Sequence, residues 1–147
     1  VVTSDNIAEK FHNGMEYFNS FGGNPVSCAV GQAVLEIIEE EELQKNALEV
    51  GQALLKILDD LKRNHDLIGD VRGQGLFIGI ELIEDMESLT PSAKTAKQIV
   101  ELMKEDRILL SVDGPDHNVI KIKPPMVFNS DNALFLVETL DKILSKF

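Results

Sequence analysis

The chain has 147 residues, 44% of them hydrophobic, which is the size of one ordinary domain and excludes a largely disordered polypeptide. No apolar run reaches the roughly 18 residues of a membrane span, and 25 acidic against 14 basic residues, a formal net charge of −11, exclude nucleic acid and anionic membrane surfaces as partners. The single cysteine, Cys28, excludes an internal disulfide and a cysteine-based zinc site; it points to a reducing compartment, the cytoplasm or alternatively a mitochondrial matrix.

Val1–Thr3 is β-prone, and Ile7–Phe11 suits a helical turn. Phe18–Pro25, reading FNSFGGNP, is a loop in which Asn24 suits an N-cap and Pro25 the first helical position. In the helix that follows, Val26, Ala29, Val30, Ala33, Val34, Ile37 and Ile38 form one apolar stripe, and the first two helices are open to covering the sheet or connecting it to a larger body. The acidic run Glu39–Glu42 reads as a solvated helix junction. A second amphipathic helix is predicted over Leu43–Leu61, burying Val50, Leu54, Ile57, Leu58 and Leu61.

The pattern then changes from helical to strand periodicity. Ile68–Val71 reads as a short strand and Arg72–Gly75 as a turn. Leu76–Ile83 reads as a strand with Leu76, Ile78, Ile80 and Leu82 on one face. Thr90-Pro91 is expected to cap a helix running to about Glu105. Ile108–Ser111 and Val119–Ile122 read as strands around the turn Asp113-Gly114-Pro115, and Pro124-Pro125 stops the second. A last helix is predicted from Ser130 towards Phe147, burying Val137, Leu140 and Leu144. From about residue 66 the order of elements implies a small α+β domain, a mostly antiparallel sheet covered by helices on one face. The charge is uneven: residues 61–147 carry every arginine and are nearly balanced, whereas residues 1–60 hold 11 acidic and 3 basic side chains.

Four features could carry chemistry. The loop Ser20–Pro25 joins two glycines, a hydroxyl and a helix N-terminus, a combination that suits phosphate; a well-capped tight turn explains it too. Arg72 offers a planar fork for a carboxylate or phosphate, or a structural hydrogen bond. Lys121 and Lys123 alternate with Ile120 and Ile122, so both amines are expected on one strand face, to meet an anionic group or to protect an edge strand. Cys28 lies in a helical first turn, where packing and a lowered thiol pKa are both open. Gly73, Gly75 and Gly79 lead into a strand and so do not make a dinucleotide fingerprint; they suit a turn and close backbone packing. His12, His65 and His117 show no metal-ligand spacing, Asp113 and Asp116 read as turn residues, and no metal site is expected.

Three segments are similar to one family. GMEYFNSFGGNPVSCAVGQAVL (14–35) resembles the segment that follows the cofactor lysine in class-III pyridoxal-phosphate-dependent aminotransferases. DVRGQGLFIGIEL (70–82) resembles the strand that opens their small domain, and LLSVDGPDHNVIKIKPPMVF (109–128) its end. The similarity extends over the chain in order and is nearest to the alanine–glyoxylate aminotransferase 2-like branch, which includes phospho-lyases acting on ethanolamine phosphate and phosphohydroxylysine.

The resemblance implies an α/β enzyme of fold type I, a homodimer whose active site is shared between subunits, with pyridoxal 5′-phosphate as cofactor and a small amine or amino acid as substrate. It implies that residues 1–42 end the large cofactor-binding domain, that 43–65 form a connecting helix and that 66–147 form the small domain. The Schiff-base lysine is expected upstream of Val1, so no catalytic residue is assigned, and this stretch alone is expected to be inactive. The first residue is Val1 and not Met, which fits a processed chain or a piece of a longer one. Ser20 and Phe21 occupy the place where the family binds the cofactor phosphate of the other subunit. Lys121 stands where many members carry the arginine that clamps a substrate α-carboxylate. A lysine lacks the fork that suits a carboxylate but remains a point charge for phosphate. The implied function is an amine phospho-lyase; a conventional class-III aminotransferase and a non-catalytic folding or dimerisation module are the alternatives.

Overall fold

The computed structural model describes residues 2–147. They form two compact units, one up to Glu36 and one from Ile37 to Phe147. Of the β-prone start, Val1 lies outside the described residues, and Val2 and Thr3 join neither strand nor helix.

In the first unit, α1 (Asp5–Phe11) buries no side chain. The rings of Phe11 and Tyr17 meet edge-on at 6.1 Å between centroids. The helix α2 (Pro25–Glu40) begins where expected. No residue of α2 is buried, and Val26, Val30 and Val34 are 74%, 60% and 50% exposed. Helical spacing specifies an apolar face, and among the described residues nothing covers this one. The acidic junction is solvated, and Glu42, in the left-handed region at φ 49°, breaks the chain between α2 and the next helix.

The second unit contains α3 (Leu43–Lys62), β1 (Ile68–Gln74), β2 (Phe77–Leu82), α4 (Ala93–Glu105), β3 (Ser111–Asp113), β4 (Val119–Ile122) and α5 (Ser130–Leu144). The four strands make one sheet in the order β1-β2-β4-β3, antiparallel throughout. Alternation sends Ile78, Ile80, Leu82, Ile120 and Ile122 to one face, where each is at most 1% exposed. Leu54 and Leu58 of α3, Ile99 and Met103 of α4, and Leu140 and Ile143 of α5 join them in one core. Each such side chain contributes about 1.5–3 kcal/mol by leaving water. The opposite face carries Arg72, Gly79, Glu81, Asp113, Val119 and Lys121 and is only partly covered. Between β2 and β4, buried Asn118 donates from Nδ2 to the Leu82 carbonyl at 2.8 Å, which joins the ends of the two central strands.

Several boundaries move from the sequence expectation. Arg72, Gly73 and Gln74 belong to β1, and the turn is the residue pair Gly75-Leu76, with Gly75 at φ +54°. A Cβ on Gly73 would stand 2.5 Å from the Phe77 carbonyl oxygen, so this glycine lets the hairpin close rather than break the strand. Likewise a Cβ on Gly51 would run into the Gly75 carbonyl, and its absence allows α3 to approach the β1–β2 turn. Ile57 is 37% exposed, at the edge of the α3 stripe. Ser92, not Thr90-Pro91, precedes α4, because Pro91 bridges to Ile83. The third strand is displaced from 108–111 to 111–113, and β4 is as expected.

Candidate functional site

The phosphate-type loop lies in the first unit. Residues 20–23 form the turn, and Asn24 fixes it to α2. Its Oδ1 accepts the Ser27 N–H at 2.9 Å; its Nδ2 donates to the Phe21 carbonyl and to the Ser27 hydroxyl, each at 2.9 Å. Asn19 organises the other side, accepting the Phe21 N–H at 3.1 Å on Oδ1 and the Gly22 N–H at 3.2 Å on its carbonyl. The Phe21 amide is thus committed within the loop, and its ring is 84% exposed. The Ser20 hydroxyl and the Gly23 N–H bond to no other described residue. Gly23, at φ +72°, has open space where a Cβ would be.

This donor set fits a phosphate. A free hydroxyl and a free amide stand beside the first turn of a 16-residue helix, and residues 17–35 contain no charged side chain that would repel an anion. Of the neighbouring amides, Gly23 is more available than Phe21. Cys28 is exposed and free, one turn into α2.

Lys121 lies in the second unit, on the open sheet face. The register sets Arg72, Gly79, Lys121 and Ser111 in one row across the four strands. At Gly79 a Cβ would meet Val119 Cγ1 at 2.9 Å, so the Val119 side chain lies over this glycine, and a shallow depression of about 380 Å3 is bordered by Arg72, Phe77, Gly79, Val119 and Lys121. Both cations are held by carboxylates. Arg72 donates to Asp70 at 2.8 Å and to Glu81 at 2.6 Å, and the Asp70 hydrogen bond, with Glu81 next, raises its already high pKa. Lys121 Nζ donates to Asp113 Oδ2 at 2.7 Å, while Asp113 Oδ1 accepts the Gly114 N–H at 2.9 Å. The hydrogen bond from Lys121, followed by that from Gly114, holds the Asp113 carboxyl below the usual carboxylate range. Arg72 is thus in a structural network, and Asp113, read from sequence as a turn residue, is the partner of Lys121.

The two lysines do not share a site. Lys123, just past β4, borders a different depression with Arg107, Leu109 and Phe135. His65 pairs with Asp141 at 2.6 Å, and among the described residues no three His, Cys, Asp or Glu side chains group as a metal site. No helix among them is long and apolar enough to cross a membrane.

The chain is 53% identical over 135 residues to a Drosophila melanogaster protein named alanine–glyoxylate aminotransferase 2-like, covering 90% of this chain and 27% of that protein. It is 42% identical over 146 residues to the Caenorhabditis elegans ethanolamine-phosphate phospho-lyase homolog 1, covering 99% of this chain and 31% of that protein. Its structure follows that of an Arthrobacter phospholyase in complex with phosphoethanolamine at a TM-score of 0.91 and 36% identity, over 99% of this chain and 34% of that one. The chain therefore spans about a third or less of the length of these relatives. The model of the family described as aminotransferase class-III matches residues 1–144, and the chain belongs to that family.

Proposed function

We propose that this chain is the C-terminal part of a pyridoxal-phosphate-dependent amine phospho-lyase, an enzyme that eliminates phosphate from an amino-alkyl phosphate. Class-III aminotransferases use pyridoxal phosphate. The relatives named as phospho-lyases, one of them holding phosphoethanolamine, support the reading across 99% of the chain. The observation that carries it is Lys121: the strand position holds a single ammonium, fixed on one side by Asp113, and no guanidinium fork. One ammonium cannot make the two parallel hydrogen bonds that orient an α-carboxylate, but phosphate oxygens can approach it from several directions.

In this reading residues 1–42 end the large domain, 43–65 connect and 66–147 are the small domain. The enzyme is a homodimer, and Ser20, with the amides of its loop including those next to Phe21, holds the cofactor phosphate of the partner subunit. The cofactor supplies the electron sink that lets the leaving group depart from the carbon beside the amine-bearing one. Lys121 meets the anionic end of the substrate with the two ammonium protons that Asp113 leaves free. The Schiff-base lysine belongs to the rest of the enzyme, so this stretch alone does not turn over substrate.

The second reading, a conventional aminotransferase, is favoured by the name of the Drosophila relative at 53% identity. The full-length protein decides between them. A lyase given phosphoethanolamine or phosphohydroxylysine releases inorganic phosphate and ammonia without a keto-acid acceptor, and Lys121→Arg moves it towards amino-acid donors. Fast transfer to pyruvate or glyoxylate, with no phosphate released from either phospho-amine, overturns the lyase reading.

A further inference from the structure

Two asparagines hold the loop of the first unit from inside. The peptide between Phe21 and Gly22 is pinned at both ends: its carbonyl accepts from Asn24 Nδ2 at 2.9 Å, and its N–H donates to the Asn19 carbonyl at 3.2 Å. A trans peptide points its N–H and its C=O in opposite directions. The Asn19 carbonyl is turned into the loop by the Gly22 N–H, so the amide of the same peptide, that of Ser20, is turned out of it. The Ser20 amide and hydroxyl and the Gly23 amide have no partner among the described residues. Asn24 therefore makes two separable contributions. Its Oδ1 caps α2 by accepting the Ser27 N–H, and its Nδ2 holds the Phe21 carbonyl.

The cap alone does not need the nitrogen. Serine caps a helix about as well as asparagine, but it places one oxygen next to Cβ and has no second atom to reach back to the Phe21 carbonyl. What the nitrogen supplies is the orientation of one peptide plane. Released from Asn24, the Phe21–Gly22 peptide is free to turn over, since Gly22 carries no Cβ and Gly23 already takes φ +72°. Turned over, it takes the Gly22 N–H off the Asn19 carbonyl, and the Ser20 amide loses the bond that fixes its direction. It also leaves an unpaired carbonyl oxygen, a partial negative charge, in a loop that is to receive an anion. We propose that Asn24 is a positioning residue for the cofactor phosphate: its side-chain nitrogen, by holding the Phe21–Gly22 peptide, fixes the Ser20 and Gly23 donors in the arrangement that receives the phosphate. The assignment rests on the proposed placement of the cofactor phosphate at Ser20. It is the same whether the reaction is elimination or amino-group transfer.

The test uses the full-length enzyme stripped of cofactor, as wild type, Asn24→Ser and Ser20→Ala. Dissociation constants for pyridoxal 5′-phosphate and for pyridoxal, which lacks the phosphate, are measured by absorbance, beside the thermal melting of each apoprotein. The ratio of the two constants isolates what the phosphate contributes. Asn24→Ser is expected to weaken pyridoxal 5′-phosphate binding about two- to tenfold, the range of one neutral hydrogen bond. The pyridoxal constant and the melting temperature should stay as in wild type, because serine keeps the cap. Equal weakening of both ligands, or an unchanged pyridoxal 5′-phosphate constant, would make Asn24 a helix cap only and overturn the proposal. Should Asn24→Ser melt below wild type, the ratio is read from Asn24→Gly, whose cap is nearly as good, and an unchanged ratio there overturns the proposal equally. Ser20→Ala tests the reading beneath. A changed ratio in Ser20→Ala with an unchanged one in Asn24→Ser defeats the role of Asn24 alone, whereas an unchanged ratio in Ser20→Ala removes the loop from the cofactor phosphate and the proposal with it.

Discussion

The helices α2 and α3 carry comparable apolar stripes and meet opposite fates. In α3, Leu54 and Leu58 are fully buried and Val50 and Leu61 nearly so. In α2, Val26, Val30 and Val34 lie at the same helical spacing, and every residue of the helix remains accessible. Periodicity therefore reports that a face is meant to be covered and is silent on what covers it. For α3 the cover is the sheet and α5 of its own unit. Val26, Val30, Val34 and Ile37 form an uncovered face too continuous to be the scatter of single apolar residues found on ordinary surfaces. The difference also shows in composition: residues 17–35 of the first unit are without charge, whereas the exposed side of α3 carries Lys45, Glu49, Lys56, Asp59 and Asp60.

The strongest way to break this comparison is to truncate both stripes in this chain. Leu54→Ala empties a fully buried position and should cost about 2–5 kcal/mol in denaturant unfolding, the range for large-to-small core changes. Val30→Ala removes a side chain that is 60% exposed and should stay within about 0.5 kcal/mol in the same measurement. If Val30→Ala were as costly as Leu54→Ala, the α2 stripe would be buried in solution and the contrast would disappear.

The same two regions show what a sequence can disclose. The helix α2 and its cap were legible because Asn24-Pro25 combines an acceptor for the Ser27 amide with a residue that needs no donor. The strand β4 was legible because Val119–Ile122 alternates and Pro124 cannot continue a ladder. The extension of β1 through Gln74 was not: Gly73 and Gly75 look alike in the sequence, yet Gly73 accommodates a neighbouring strand and only Gly75 turns the chain. The partner of Lys121 was hidden for a related reason. Placing the third strand at 108–111 leaves Asp113 in the turn, and the observed register at 111–113 brings it onto the face of Lys121. A shift of a few residues in a strand boundary changes which side chains can meet.

A second contrast is between residues that build the loop of the first unit and those it would offer to a ligand. Ser20 bonds to no other described residue, whereas Asn24 makes three hydrogen bonds inside the loop. In the full-length enzyme, Ser20→Ala should therefore weaken cofactor binding by about 1.5–3 kcal/mol, roughly ten- to a hundredfold, with the unfolding of the apoprotein unchanged. Asn24→Ala should instead cost about 1 kcal/mol of stability as the cap is lost. Cofactor titration followed by absorbance, beside chemical denaturation, separates the two. An unchanged dissociation constant for Ser20→Ala would remove that hydroxyl from the cofactor site.

The smallest effect expected lies on the open sheet face, and it has a definite sign. The Asp113 carboxyl is held below its ordinary value by the hydrogen bonds from Lys121 and Gly114. A group whose pKa is depressed on folding binds its proton more readily when unfolded, so its contribution is present above the unfolded value, about 3.9 for an aspartate. The contribution fades as pH falls from there through the lower, folded value. Wild type should thus lose stability in acid faster than Asp113→Asn, which has no carboxyl to titrate at this position, and the two curves should converge below the folded pKa apart from a constant offset. Both partners of the pair are solvated and the effect should shrink as salt is added. Unfolding curves of the two proteins between pH 2 and 7 measure this directly. Parallel curves throughout would mean that the Lys121–Asp113 pair does not persist in solution.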